Sequence, residues 1–331
     1  MVAYSAYWWF TANALTGQVN RWIAGEQAKG AKITPTQVAV GGYPFAFALS
    51  LKDVSLGWPS GFGFSSQSLK LRTHPWAPRT FRVDATGGFE VALPAGTTRP
   101  ALVIDGETLR GHASFADTPM PVAMDLKADT VSASTTTAEN AAPNRELTVT
   151  NVEFDGNRPV TAPTADTDVA YDMSLTLGGI SAQLLEGNPL GSKIEQAALH
   201  VQLLGKPPAT WDDTGIKAWR EAGGTVNLNS LGLQWGQLGL SGNGTLALDK
   251  DMQPQGAFTT HLTGYEQAID SLAAAGWIKL SAASIAKLAL GIASHPGPDG
   301  KLSVDTPISI QDRRISAGAI KLGQVPELKL Y

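Results

Sequence analysis

From residue 33 onward apolar residues alternate with small or polar ones at a period of two. Phe45, Phe47, Leu49 and Leu51 interleave with Ala46, Ala48, Ser50 and Lys52, the signature of a half-buried strand whose side chains point to opposite faces in turn. Pro44 stands at its entry, where a missing amide costs least. The alternation recurs at Leu69/Leu71, Phe81/Val83, Phe89/Val91/Leu93, Leu102/Ile104, Val122/Met124/Leu126 and Leu147/Val149. It returns at Met173/Leu175/Leu177, Leu199/Val201/Leu203, Val226/Leu228, Leu231/Leu233/Trp235, Leu238/Leu240 and Leu246/Leu248. Short strands in this number, parted by Gly, Asn, Asp or Pro turns, predict a large antiparallel meander.

A period of 3.6 shows in a few places. Trp8, Leu15, Val19, Trp22 and Ile23 define one face of an amino-terminal helix closed near Gly30, expected to pack on the sheet with Trp22 buried. In the second part, helices are predicted over Trp211–Ala222, around Tyr265, Ile269 and Leu272 up to Gly276, and through Ile285, Leu288, Ala289 and Ile292. The fold class is therefore α+β and β-dominated: a large curled antiparallel sheet, groove or barrel-like, with an N-terminal helix and two or three helices in the second half. The polar stretch 133–144 reads as a long hairpin loop, and 155–168 as the boundary between halves. The expected organisation is a membrane-proximal helix over 1–30, a β-rich half over 31–155 and a second β-rich half with helices over 168–331, which together form either separate domains or one continuous one.

Composition sharpens this. Only 16% of the 331 residues are charged while 43% are hydrophobic, too apolar for a disordered chain. A net charge of −4 supplies no basic field for nucleic acid, so no nucleic-acid partner is expected. Cysteine is absent, which excludes disulfides, Cys-ligated metals and thiol catalysis and is compatible with an oxidising compartment.

No catalytic constellation emerges. The five histidines, His74, His112, His200, His261 and His295, show no metal-ligand spacing, and His200 and His261 read as structural residues within strands. Gly239-Leu240-Ser241-Gly242-Asn243 fails the nucleophile elbow at its last position. Gly242-x-Gly244-x-x-Ala247 matches a dinucleotide fingerprint only formally, because a strand rather than a helix follows. The carboxylates of Asp166, Asp168 and Asp172, and of Asp249 and Asp251, lack the alternate spacing of a calcium loop. No metal, no cofactor and no enzymatic activity are expected.

The first ten residues, MVAYSAYWWF, crowd aromatic rings as membrane–water interfaces do. They read either as a buried start to an ordinary helix or as the rim of an amino-terminal membrane anchor preceding this sequence.

Val40-Gly41-Gly42-Tyr43-Pro44-Phe45, Trp8-Trp9 before the first helix, Leu233-x-Trp235-Gly236, Gly244-Thr245-Leu246-Ala247-Leu248-Asp249, Pro254-x-Gly256 and Ala319-Ile320-Lys321-Leu322-Gly323-x-x-Pro326 resemble the bacterial family called domain of unknown function 2125, over nearly the whole chain. The resemblance implies a Gram-negative envelope protein with its body in the periplasm, held to the inner membrane by an amino-terminal segment. It carries over no activity and no functional residue.

The expected function is binding or transfer of a lipid or other hydrophobic envelope molecule in an apolar β-groove, lined by Phe45, Phe47, Leu49, Trp58, Phe62, Phe64, Trp235 and Leu238. On the first strand the bulky face should line the groove, and the small face of Ala46, Ala48 and Ser50 should lie under a helix. The same residues can instead fill an ordinary core. The alternative function is an envelope scaffold that binds other envelope proteins and takes no small ligand.

Overall fold

The computed structural model describes residues 2–328 apart from 36, 96–100, 118–120, 137–143, 209–212, 298–301 and 319. Two compact units form, Met1–Asp155 and Gly156–Tyr331. Strand accounts for 56% of residues and helix for 21%, so the β-dominated α+β class holds. Seventeen strands pair in antiparallel fashion, and among the described residues no pairing closes them into a barrel.

In the first unit, helix α1 (Val2–Ala28) precedes strands β1 (Lys32–Ile33), β2 (Gln37–Gly41), β3 (Phe47–Gly57), β4 (Gly63–His74), β5 (Ala77–Leu93), β6 (Ala101–Phe115), β7 (Pro121–Thr136) and β8 (Asn144–Asn157), the last of which contains the division between units. Both β1 and β2 pair with β3, and from there each strand pairs with the next through β7. The loop expected over 133–144 lies partly outside the described residues. What is described is a hairpin whose strands run to Thr136 and from Asn144.

In the second unit the order is β9 (Val169–Ala182), β10 (Lys193–Leu204), α2 (Asp213–Glu221), β11 (Thr225–Trp235), β12 (Leu238–Leu248), β13 (Pro254–Thr263), α3 (Tyr265–Ala274), α4 (Leu280–Ala293), β14 (Ser294–Pro296), β15 (Leu302–Gln311), β16 (Arg314–Ala317) and β17 (Ile320–Gln324). Strands β9 to β13 pair in sequence, β13 pairs with β15, and β15 leads on to β16 and β17. The three helices predicted here are present, although Trp211 falls outside the described residues.

Several strands are longer than the alternation suggested. In β5, Phe81/Val83 and Phe89/Val91/Leu93 are parts of one strand, and Gly87 and Gly88, at φ 77° and 100°, insert an extra residue between them. At one level of the sheet the step of two between inward-facing positions is broken: it becomes three from Leu51 to Val54 in β3, Leu69 to Ser66 in β4, Leu109 to Gly106 in β6 and Ala128 to Val131 in β7, and four, around the two glycines, from Ala85 to Phe89 in β5. In β8 the apolar positions Val149 and Val152 are likewise three apart. Asp53 (φ 47°) and Asn151 (φ 53°) mark the two ends of this line. Bulged strands bend and twist more strongly, so the sheet is creased across six strands while its apolar residues stay on one face.

Two helices depart from their expected faces. On α1 the covered stripe is Trp8, Ala12, Leu15, Val19 and Ile23, and Trp22 is 50% exposed. The reason is that α1 meets only the narrow edge formed by β1 and β2, together with the start of β3, so a single stripe suffices. At its amino-terminal end Trp8 stacks on Phe47 at 5.6 Å between ring centroids and donates its indole N–H to Ala46 O at 3.0 Å. Helix α1 thus lies over the bulky face of β3, not the small one. On α4, Ala283 is buried, and the predicted stripe of Ile285, Leu288 and Ile292 faces solvent. Small residues let that side of α4 approach its neighbours closely, which leaves the large ones outside.

Trp8→Ala removes a stacked ring and a hydrogen bond and should destabilise the fold by about 3 kcal/mol, whereas Trp22→Ala should cost under about 1 kcal/mol. Urea unfolding of the two variants checks this order; equal losses would contradict the observed helix face.

Candidate functional site

Register converts the alternation into rows. Across unit one, Val40, Leu49, Leu71, Val83, Gly111 and Leu126 are successive cross-strand partners, and so are Val38, Leu51, Leu69, Ala85, Leu109 and Ala128. Beyond the crease the rows continue as Leu56, Phe64, Val91, Ile104 and Ala133. The opposite face carries the charge: Lys70, Asp84, Arg110 and Lys127 form one row, and Arg72, Arg82, His112 and Asp125 another. One face of this sheet is therefore apolar along its whole width.

Among the described residues of the first unit, few cover that face. The buried cluster Ala85, Phe89 and Ala128 packs with Phe64, Leu69, Val91, Leu109, Val131 and Val152, all of them neighbours along the sheet rather than residues of a facing layer. Most row members, including Leu71, Val83, Leu109 and Leu126, are only half-buried.

The second unit has the same two-sidedness. Its apolar rows include Met173 with Val201 and Leu175 with Leu199 and Leu231. Trp219 of α2 covers one end against Leu203, Tyr171 and Val226, and its indole N–H donates to Leu204 O at 2.9 Å. The other face is polar. There His200 Nε2 lies 2.9 Å from Asp172 Oδ1, and Gln202 donates to Asp172 Oδ2 at 2.6 Å. Asp305 stands between two imidazoles, 2.6 Å from His261 Nδ1 and 3.1 Å from His295 Nε2. A hollow of about 330 Å³ on this unit is lined by Gln196, Ala198, Gly232, Ser241, His261 and Thr263 among others. Among the described residues no group of three His, Cys, Asp or Glu side chains is placed to hold a metal ion.

Of the residues expected to line a groove, six belong to the first unit and two, Trp235 and Leu238, to the second. Leu49 is buried and Phe64 half-buried on the apolar face of unit one, while Phe47 is buried beneath Trp8. Phe45 lies in the turn before β3 and is 68% exposed. Trp58 and Phe62 pack on each other at 5.5 Å across the β3–β4 turn. Trp235 and Leu238 face each other at the β11–β12 hairpin in the second unit, where the indole N–H donates to Gly191 O at 2.9 Å. Of the larger part of the apolar face, Leu71, Val83 and Leu126 were visible in the sequence only as strand periodicity, and Leu109, beyond the break after Ile104, was not picked out. Its members become a surface through register, which periodicity does not supply.

A model of the family described as "Uncharacterized protein conserved in bacteria (DUF2125)" matches residues 8–326. No curated protein matches the chain at a significant level.

In the second unit the His-paired carboxyls of Asp172 and Asp305 are held below the ordinary carboxylate range. For Asp172, burial pushes upward, but hydrogen bonds from Gln202 and His200 outweigh it; for Asp305 the bond to His261 dominates and His295 adds to it. Groups whose pKa is lower folded than unfolded favour the folded state above the unfolded value and lose that contribution as pH falls through the folded one. Stability should therefore decline below about pH 4, and Asp305→Asn should flatten part of that acid limb. Urea midpoints measured across the acid range check this; an unchanged limb in the variant would remove Asp305 from the account.

Proposed function

The chain belongs to the family of uncharacterized proteins conserved in bacteria, DUF2125, and from that premise we propose that it is a non-enzymatic envelope protein of the periplasm that binds a lipid or other hydrophobic molecule along the open apolar face of its sheet. The observation that carries this reading is the set of continuous apolar rows in which Leu71, Val83, Leu109 and Leu126 are only half-buried. Apolar area exposed to water costs roughly 25 cal/mol per Å², so a hydrophobic occupant of such rows gains what the open sheet forgoes. A long acyl or isoprenoid chain suits a flat row better than a compact molecule does, because it can lie across successive strands about 4.8 Å apart. The absence of cysteine from the sequence fits the oxidising periplasm.

A second reading, an envelope scaffold, has its own observation. Leu280, Ile285, Leu288 and Ile292 of α4 are each at least 67% exposed, and Lys287, which lies beside Leu280 around the helix, is bonded to Asp270 at 2.9 Å. A helix that is apolar both where it packs and where it faces water is suited to receiving a partner.

The two readings separate experimentally. Leu126→Asp should lower uptake of a fluorescent acyl probe at least about tenfold by placing a carboxylate in an apolar row. Lys127→Ala, on the opposite face and bonded to Glu153 at 3.0 Å, should leave uptake unchanged. Native mass spectrometry of the purified protein should find bound lipid. Absence of lipid together with uptake indifferent to Leu126→Asp would favour the scaffold.

A further inference from the structure

Three chain segments meet at one end of the first unit, and all three present aromatic rings. They are the first turns of α1, the turn 42–46 between β2 and β3, and the turn 75–76 between β4 and β5. Tyr4 donates its hydroxyl to Pro44 O, Ser5 Oγ lies 2.6 Å from Tyr43 Oη, and Trp8 meets Tyr43 edge-on at 5.5 Å. His74 Nδ1 lies 2.9 Å from Phe45 O, and the His74 ring stacks on Trp76 at 4.9 Å. The segments are thus tied together by polar and ring contacts, while the large rings point outward. Tyr7, Trp9, Phe10, Tyr43, Phe45 and Trp76 range from 52% to 72% exposed.

We infer that this aromatic end is a docking surface for a lipid bilayer. The reasons are geometric and chemical. Successive helical residues turn by about 100°, so Tyr7, Trp9 and Phe10 radiate around α1 on all sides that Trp8 leaves free. No flat protein surface contacts rings that diverge in this way, whereas a helix end dipped into a fluid layer wets all of them. Tyr and Trp combine an apolar body with a polar tip, the chemistry that settles at the headgroup level. The first charged side chain of α1 is Arg21, so the dipped turns carry no charge to desolvate. The nearest charges are balanced and partly tied to one another: Arg79 donates to Asp117 at 2.7 Å and Arg82 to Asp84 at 3.0 Å, so the rings and not a field of one sign meet the layer.

The docking surface is continuous with the apolar face. Phe47, two residues after Phe45, begins a row that passes through Thr73, Phe81, Ala113 and Met124, and Phe81 meets Phe115 edge-on at 5.8 Å. A bilayer held against the rim therefore adjoins the open rows. This gives the proposed hydrophobic ligand, on whose existence this last point rests, a route that does not cross water.

The test is vesicle co-sedimentation of the full chain with phosphatidylcholine vesicles, with and without phosphatidylglycerol. The unmodified protein should partition onto both kinds of vesicle. Each exposed ring removed (Phe45→Ser, Trp76→Ser) should lower partitioning about tenfold, the equivalent of one ring's transfer from water, with unchanged urea stability. Brominated lipid should quench tryptophan fluorescence in the unmodified protein and less in Trp76→Ser. Failure to sediment with either vesicle, or equal sedimentation of the double variant, would overturn the inference. So would concentration-dependent dimerisation abolished by the same substitutions, which would assign the rim to a second copy. Uptake of a soluble acyl probe without vesicles tests the ligand reading separately, because a rim variant that still takes up probe loses docking alone.

Discussion

Where no second layer closes over a sheet, cross-strand register carries the burden that a packed core carries elsewhere. In the first unit an apolar side chain at one position is useful only if its partners on both neighbouring strands are apolar as well. The row Val38, Leu51, Leu69, Ala85, Leu109 and Ala128 meets that condition across six strands. A slip by one residue would exchange this row for the charged one beside it. Lys70, Asp84, Arg110 and Lys127 would then lie on the apolar side, unpaired with water. The alternation of charge and hydrophobicity is therefore also the device that rejects wrong registers.

The crease has to be read with that constraint. A single bulge in one strand would invert the faces beyond it and break every row it crosses. Here β3, β4, β6 and β7 step by three residues at one level and β5 steps by four around its glycine pair, so the rows resume on the far side with the same face apolar. Gly87 and Gly88 are required because both take positive φ, and a Cβ at Gly87 would fall 2.7 Å from the Gln67 side-chain oxygen. Asp53 and Asn151 occupy the left-handed region where short polar side chains are tolerated best among non-glycine residues. The polar residues along the line are thus demanded by backbone geometry. They would look like loop residues to any reading that scores strands one at a time.

This is why the fold was largely legible and the site was not. Strand class, helix positions and the antiparallel meander follow from period and turn residues, which are local. The division of β5 and β11 into two pieces each was wrong because the glycine pair Gly87–Gly88 and the parity shift between Leu228 and Leu231 imitate a turn. Trp22 was placed on the covered stripe of α1 because it neighbours Ile23, yet that stripe is only one residue wide against an edge. The helix α4 shows the opposite case: its i, i+3, i+4, i+7 pattern is real, and the pattern alone does not say whether water or protein meets it. Phe45 continues the alternation of β3 in sequence, but the turn that ends at Ala46 takes it out of the strand and into the aromatic rim.

The low charge of the chain then acquires a structural meaning. In the first unit nearly all of it is spent on one face, in rows where Lys127 meets Glu153 and Arg82 meets Asp84. In the second unit the polar face relies on amides, hydroxyls and His–Asp pairs instead. Neither arrangement leaves charge for the apolar rows or for the first turns of α1. A soluble protein with closed cores has no need to keep two separate surfaces free of charge, since its apolar residues are inside. Here they are outside, and each uncharged surface is bordered by polar residues that fix where water ends. Charge placement therefore divides the surface into regions meant for water and regions meant for something less polar, and the aromatic end of the first unit, with Tyr and Trp at its edge, is where the two meet.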